Sequence, residues 1–387
     1  MSSSLTRELS KQNEILGDKV LDFLFQTLSI DERWSLRDKT GFTWWPHRLA
    51  QRVWFEPVSV EGGSAYIRVH SETSVFRNVP NTFETAQRLD DLNRFASMNA
   101  FVWDTNAGQI SSHFCAYVSD ETFGWMKAVS AAAVGLQTAD AHIKATEAGA
   151  RLFNAELDES NHPQSGKRHM PDDMLTVIEK WFVPAGKHPY GFNLLEQMEP
   201  NPWVLATADE SGFTAEFAFD GTMPAAGLAM TSAEGSVQTT LFQAFAEEQH
   251  PQLGNGILMR VSLPVEFTRE QAIAKAHELN LAETHEHTVS YFTGAWCSAP
   301  LTLDTYSQKG RIDIMAGIIA ERMKRPEEVK EIADSITRAA AREDSRLTNL
   351  CFVTFLPAII LQQGILEPFV WSMAVRSRWV KQHLSWH

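Results

Sequence analysis

A chain of 387 residues with a formal charge of −14 (34 Lys and Arg against 48 Asp and Glu) repels phosphate backbones and anionic lipid, which argues against nucleic acid or a membrane surface as partner. With 44% hydrophobic and 21% charged residues it can bury substantial cores, and its length exceeds the roughly 250–300 residues that a single core supports. Cys115, Cys297 and Cys351 have no paired spacing, so they make neither a disulfide framework nor a zinc knuckle, and a reduced, cytoplasmic compartment is expected.

The opening residues 1–8 lack the basic region and apolar core of a signal peptide. The most apolar run, residues 350–361, is too short to span a bilayer as a helix and is interrupted by Pro357. It reads as a buried strand and its exit, and the protein is expected to be soluble.

In chain order, Leu5, Leu9, Leu16, Val20, Phe23, Leu24 and Leu28 predict an amphipathic helix over 5–28. Gly17 weakens it by roughly 1 kcal/mol relative to Ala. Short extended pieces follow at 34–36, 42–45, 53–55 and 65–69, with a Gly-containing hairpin turn at 61–64. Asn81 with Glu84 three residues on signals a helix over 82–96. Strands are predicted at 99–104 and 109–118 around a turn at 106–108, then an Ala-rich helix over 122–149. Residues 161–169 are loop-like, and 172–182 predict a short helix.

The second half echoes the first. Trp34 and Gly41-Phe42-Thr43 are answered by Trp203 and Gly212-Phe213-Thr214, and Ile67-Arg68-Val69 by Met259-Arg260-Val261. The helix ending at Asn93 is matched by one ending at Asn280, which starts with a Thr268…Gln271 capping box. Residues 101–103 correspond to 289–292, Cys115 to Cys351, and Trp125 to Trp371. The excess in the second half is an insertion at about 305–346 with two predicted helices. The domain reading is a first unit over 1–152, a connector over 153–199 and a second unit over 200–387. Each unit is read as an antiparallel sheet packed with helices, an α+β fold in a pseudo-twofold pair.

The element order of helix, three strands, helix, two strands and helix resembles type III secretion chaperones and the YbjN family of bacterial sensory-regulatory proteins. The match covers residues 5–150 and, less cleanly, 200–387. This resemblance implies an α/β unit that pairs through helices and binds polypeptide without catalysis. The chain departs from it by fusing two units and adding the insertion.

Residues with chemical potential divide between two readings. His277, Glu283, His285, Glu286 and His287 form the densest group, and on a strand His285 and His287 would share one side, as a metal site requires. The alternative is a solvated turn from helix to strand. His113 and Cys115 share a strand face, so Cys115 is either a nucleophile with a nearby base or a small core hydrophobe. No GxGxxG, Walker-type or GxSxG pattern occurs. Phe42, Trp44, Trp45, Trp54 and Phe55 concentrate aromatic surface. Adjacent Trp44 and Trp45 face opposite sides of a strand, so Trp44, Trp45 and Trp54 are either a partner surface or buried on both sides.

The expected function is that of a non-catalytic binding or chaperone-like protein with no cofactor and a protein partner, as a monomeric pseudo-dimer or a homodimer. The alternative is an enzyme with its site between the halves, metal-assisted through His285 and His287. A third reading is a structural module docking through the insertion.

Overall fold

The alternation of polar and apolar residues along 51–77 builds the centre of a sheet in the computed structural model, which describes residues 3–58, 65–169, 205–209, 212–218, 239–250, 254–286, 294–298, 348–357 and 366–384. The chain divides into two compact units that are not contiguous halves. One comprises Met1–Thr85, Ser97–Trp181 and Leu281–Gly294; the other comprises Ala86–Ala96, Phe182–Asn280 and Ala295–His387. Among the described residues, no helix is long and apolar enough to cross a membrane.

In the first unit, helix α1 (Ser3–Thr27) precedes a 3-10 turn (Glu32–Trp34) and strands β1 (Ser35–Arg37), β2 (Gly41–Trp44), β3 (Gln51–Pro57) and β4 (Tyr66–Arg77). After helix α2 (Phe83–Asn93), β5 (Ala100–Asp104) and β6 (Gln109–Ser119) complete the sheet in the antiparallel order β1-β2-β3-β4-β6-β5. Helix α3 (Phe123–Lys144) packs on β4, β6 and α1, while α1 also covers β3. Leu16, Val20, Leu24 and Leu28 of the predicted stripe are buried, together with Leu21 and Phe25, while Leu9 and Phe23 are half-buried.

Local chemistry sets the boundaries. The α2 cap is Thr82, one residue beyond Asn81, because its hydroxyl accepts the Thr85 N–H at 3.2 Å. The β5–β6 turn closes as Asp104 Oδ1 accepts the amides of Asn106 (2.9 Å) and Ala107 (3.0 Å), and Gly108 takes a positive φ of 62°. The helix predicted over 122–149 is two helices. Thr146 turns extended and accepts the Gly149 amide at 3.0 Å, which ends α3 and starts α4 (Glu147–Leu152). Strand β7 (Glu156–Leu157) then pairs with β4.

The second unit repeats this connectivity. Strands β8 (Leu205–Asp209), β9 (Gly212–Ala218), β10 (Thr239–His250) and β11 (Gly254–Phe267) lead into helix α5 (Arg269–His285). Strands β12 (Ala295–Cys297) and β13 (Thr348–Pro357) and helix α6 (Leu366–Leu384) follow, and the sheet order is β8-β9-β10-β11-β13-β12. Both sheets therefore place four successive strands, cross by a helix, and return with the last strand beside the fourth. Register agrees as well: His70, two residues beyond Arg68, lies opposite Cys115, and Ser262, two beyond Arg260, lies opposite Cys351.

The Thr268 capping box forms with both reciprocal bonds, Thr268 N–H to Gln271 Oε1 at 2.9 Å and Gln271 N–H to Thr268 Oγ1 at 3.3 Å. Residues 86–96 join this unit because Asp90 accepts the Ser298 amide (2.8 Å) and hydroxyl (2.7 Å), and His277 Nε2 bonds the Ala86 carbonyl at 2.7 Å. The hairpin turn at 61–64, the helix at 172–182, the strand at 289–292, the insertion at 305–346 and His287 lie outside the described residues.

Candidate functional site

The period of two in β3, β4 and β6 separates the two faces of the first sheet. Val53, Phe55, Ile67, Val69, Ser71, Phe114 and Ala116 turn toward α1 and α3 and are buried. A polar network crosses this helix-covered face. Gln51 Nε2 donates to Ser71 Oγ at 2.9 Å and to Gln137 Oε1 at 3.0 Å, and Gln137 Nε2 donates to the Ser112 carbonyl at 2.6 Å. Trp44 belongs to the same network, since its indole N–H donates to Gln51 Oε1 at 3.0 Å.

The opposite face carries Arg52, Trp54 and Glu56 on β3, Arg68 and His70 on β4, and His113, Cys115 and Tyr117 on β6. Its β4 and β6 members are interior, with Arg68 only 1% exposed, whereas Trp54 and Glu56 are partly exposed at the β3 side. The Trp54 ring stacks on His70 with centroids 4.8 Å apart and planes 6° apart, and the Arg52 guanidinium sits over its other surroundings at 5.3 Å from the ring centroid. His70 Nδ1 lies 3.4 Å from His113 Nε2, and His70 Nε2 lies 3.4 Å from Glu56 Oε2. Both distances are long for hydrogen bonds, yet the His70 contact is the largest influence on Glu56.

Electrostatics follow from this packing. The His70 imidazole holds Glu56 at about 2 against the opposing effect of its partial burial, with Trp54 and Arg68 adding to the shift. Burial pushes His113 well below the ordinary histidine value, helped by His70, Arg68 and His285. Burial pushes Tyr117 up to about 12. Burial also opposes the Arg68 charge, but Cys115, Tyr117 and Glu283 outweigh it, so its pKa is raised and the guanidinium stays cationic. Arg68 Nη2 donates to Cys115 Sγ (3.1 Å) and to the Glu283 carbonyl. Among the described residues, Arg68 Nε and Nη1 and Tyr117 Oη have no hydrogen-bond partner. The face is therefore rich in donors and suited to oxygen acceptors such as carbonyls and carboxylates.

The predicted site residues separate. Trp44 and Trp45 are buried, at 6% and 5% exposed, so they do not form a free surface. Trp45 donates to Ser160 Oγ at 3.2 Å and packs edge-on against His162 at 4.8 Å. Trp54 alone of the three keeps an accessible ring. The strand geometry expected for His285 does not form: α5 runs through His285, and the Glu286 amide still bonds the Ala282 carbonyl at 2.8 Å. Alternation with His287 on a strand is therefore not the arrangement at His285. Among the described residues, no group of three or more His, Cys, Asp or Glu is arranged to hold a metal ion.

Sequence reading passed over Arg68, His70, Glu56 and Tyr117. Their signal was polar alternation at 68, 70 and 72 within an otherwise apolar strand, but the cluster draws on three strands and only register brings it together. In the second unit Arg260 faces Gln243 and donates to its Oε1, while Ser262 and Cys351 sit 3.4 Å apart through Oγ and Sγ. Burial pushes the Cys351 thiol up to about 11. None of the three cysteines forms a disulfide and all are buried, and Cys297 lies directly opposite Cys351 across β12 and β13.

No family model, no curated protein and no solved structure matches this chain.

Proposed function

We propose that this is a non-catalytic, cytoplasmic, chaperone-like protein that binds a protein partner through the β3 side of its first sheet, in the manner implied by the YbjN and type III secretion chaperone resemblance. The observation that supports this reading is Trp54. An indole partly open to solvent, stacked on a buried imidazole and flanked by Arg52 and Glu56, is a rigid aromatic anchor with charged groups at its rim. Such residues carry a large share of binding energy at protein interfaces. The Cys351 thiol favours the same reading, because at about 11 it supplies little thiolate at neutral pH. Two sheets of one connectivity in one chain support a duplicated unit, and the three buried thiols, none in a disulfide, suit a reducing compartment.

Affinity capture from the native cell, read by mass spectrometry, tests the proposal when wild type and Trp54→Ala are compared side by side. The expected result is a reproducible partner recovered by wild type and lost with Trp54→Ala, whose circular dichroism is unchanged. Equal recovery by both proteins, or no partner with either, overturns it.

A further inference from the structure

We propose that His47 and His142, in the first unit, form a two-histidine site for a divalent transition-metal ion, with copper(II) bound most tightly. The two residues lie 95 positions apart in sequence, and the fold brings their rings to a centroid separation of 6.2 Å with planes 31° apart. With metal–nitrogen bonds of about 2.0–2.1 Å, two imidazoles on one ion have centroids from about 4.5 Å apart at a right angle to about 6.4 Å apart when trans, so the separation here fits a wide, nearly trans arrangement.

The tautomers fit this role. His142, near the end of α3, has Nδ1 2.7 Å from the Thr138 carbonyl, which can only accept, so Nδ1 carries the proton and Nε2 presents a lone pair. That Nε2 is buried and, among the described residues, has no hydrogen-bond partner. His47 bonds the Arg168 backbone through one ring nitrogen, and its buried Nδ1 has no partner among the described residues. Each imidazole is thus fixed by a backbone carbonyl on one nitrogen and unpartnered on the other. This is how metal-ligating histidines are held, the second ring N–H being tied to a carbonyl that orients the lone pair.

The surroundings set the metal preference. Glu159 acts electrostatically on His47, while its carboxylate lies 3.6 Å from Arg48 Nη1 and 3.8 Å from Lys167 Nζ. Among the described residues no third His, Cys, Asp or Glu completes the site, so water supplies the remaining positions. Arg48 and Lys167 disfavour added positive charge at His47. The ion that binds imidazole nitrogen most strongly is therefore favoured, and among first-row divalent ions that is copper, with nickel and zinc following.

The test uses the full chain, freed of any affinity tag and metal, in equilibrium dialysis against copper(II), nickel(II) and zinc(II) chlorides with bound metal counted by atomic emission. The chain has 13 histidines, so the readout is the difference from wild type. His47→Gln and His142→Gln should each lose one equivalent of copper, and the double variant should lose no more than either alone. On wild type, the nitrogen resonances of His47 Nδ1 and His142 Nε2 should move on adding zinc(II), which decides the matter even if a variant fails to fold. Unchanged copper stoichiometry in the variants, loss in only one of them, or unmoved resonances at saturating zinc overturns the proposal.

Discussion

Gly17 costs an isolated helix about 1 kcal/mol relative to Ala, and sequence periodicity registers only that cost. Its reason lies across the core: a Cβ at Gly17 would stand 2.4 Å from the Phe55 ring, so the missing side chain lets α1 lie against β3. Gly17→Ala is therefore expected to destabilise the protein, because overpacking of about 1–3 kcal/mol exceeds the propensity gain. Urea unfolding checks the sign, and a stabilised variant would show that α1 can shift away from Phe55. Trp44 and Trp45 teach a related lesson. Alternation tells that neighbours on a strand face opposite ways, but not that each face is covered. Gln51, on the next strand beneath α3, bonds Trp44, and His162 in the loop after β7 covers Trp45 from distant sequence.

At the scale of elements, signals local to one helix turn were legible and those depending on a distant partner were not. The Thr268…Gln271 box forms as read, and the α2 start was found within one residue. Strand β12 at Ala295–Cys297 has no signal local to it in the sequence. What fixes it is a side chain on α5. Asn280 Nδ2 donates to the Trp296 carbonyl at 3.0 Å, and Asn280 Oδ1 accepts the Trp296 amide at 2.8 Å. This buried amide substitutes for a neighbouring strand along one residue of backbone. Asn280→Ala removes both bonds, and a loss of about 2–4 kcal/mol is expected, since each buried polar group that loses its partner costs about 1–3 kcal/mol. Chemical denaturation measures it, and a loss below about 0.5 kcal/mol would mean that water replaces the clamp.

For the whole molecule, the α+β class could be read from sequence, because period-two segments and capping signals survive without partners. The exchange of residues 86–96 and 281–294 between units could not, since it rests on contacts such as Asp90 with Ser298, 208 positions apart. The buried histidines give the molecule a pH response. His113 and His277 are held below the ordinary value of 6.5 by burial, so the unfolded chain binds more protons than the folded one once pH falls below that value. Stability is expected to fall from about pH 6.5 downward, with each histidine contributing a slope that approaches about 1.4 kcal/mol per pH unit. Glu56, at about 2 in the fold against 4.5 ordinarily, adds a further loss below pH 4.5. Calorimetric melting at pH 7, 5.5 and 4.5 checks this, and a melting temperature constant across that range would contradict it. The central claim, that a protein partner docks on Trp54, is tested most directly by photo-crosslinking in the native cell. A photoreactive phenylalanine analogue is placed at position 54, and as a control at position 152, where Leu152 is exposed on α4. The account predicts a discrete adduct with one protein from position 54 that is missing from position 152. No adduct at 54, or the same adducts from both positions, would contradict it.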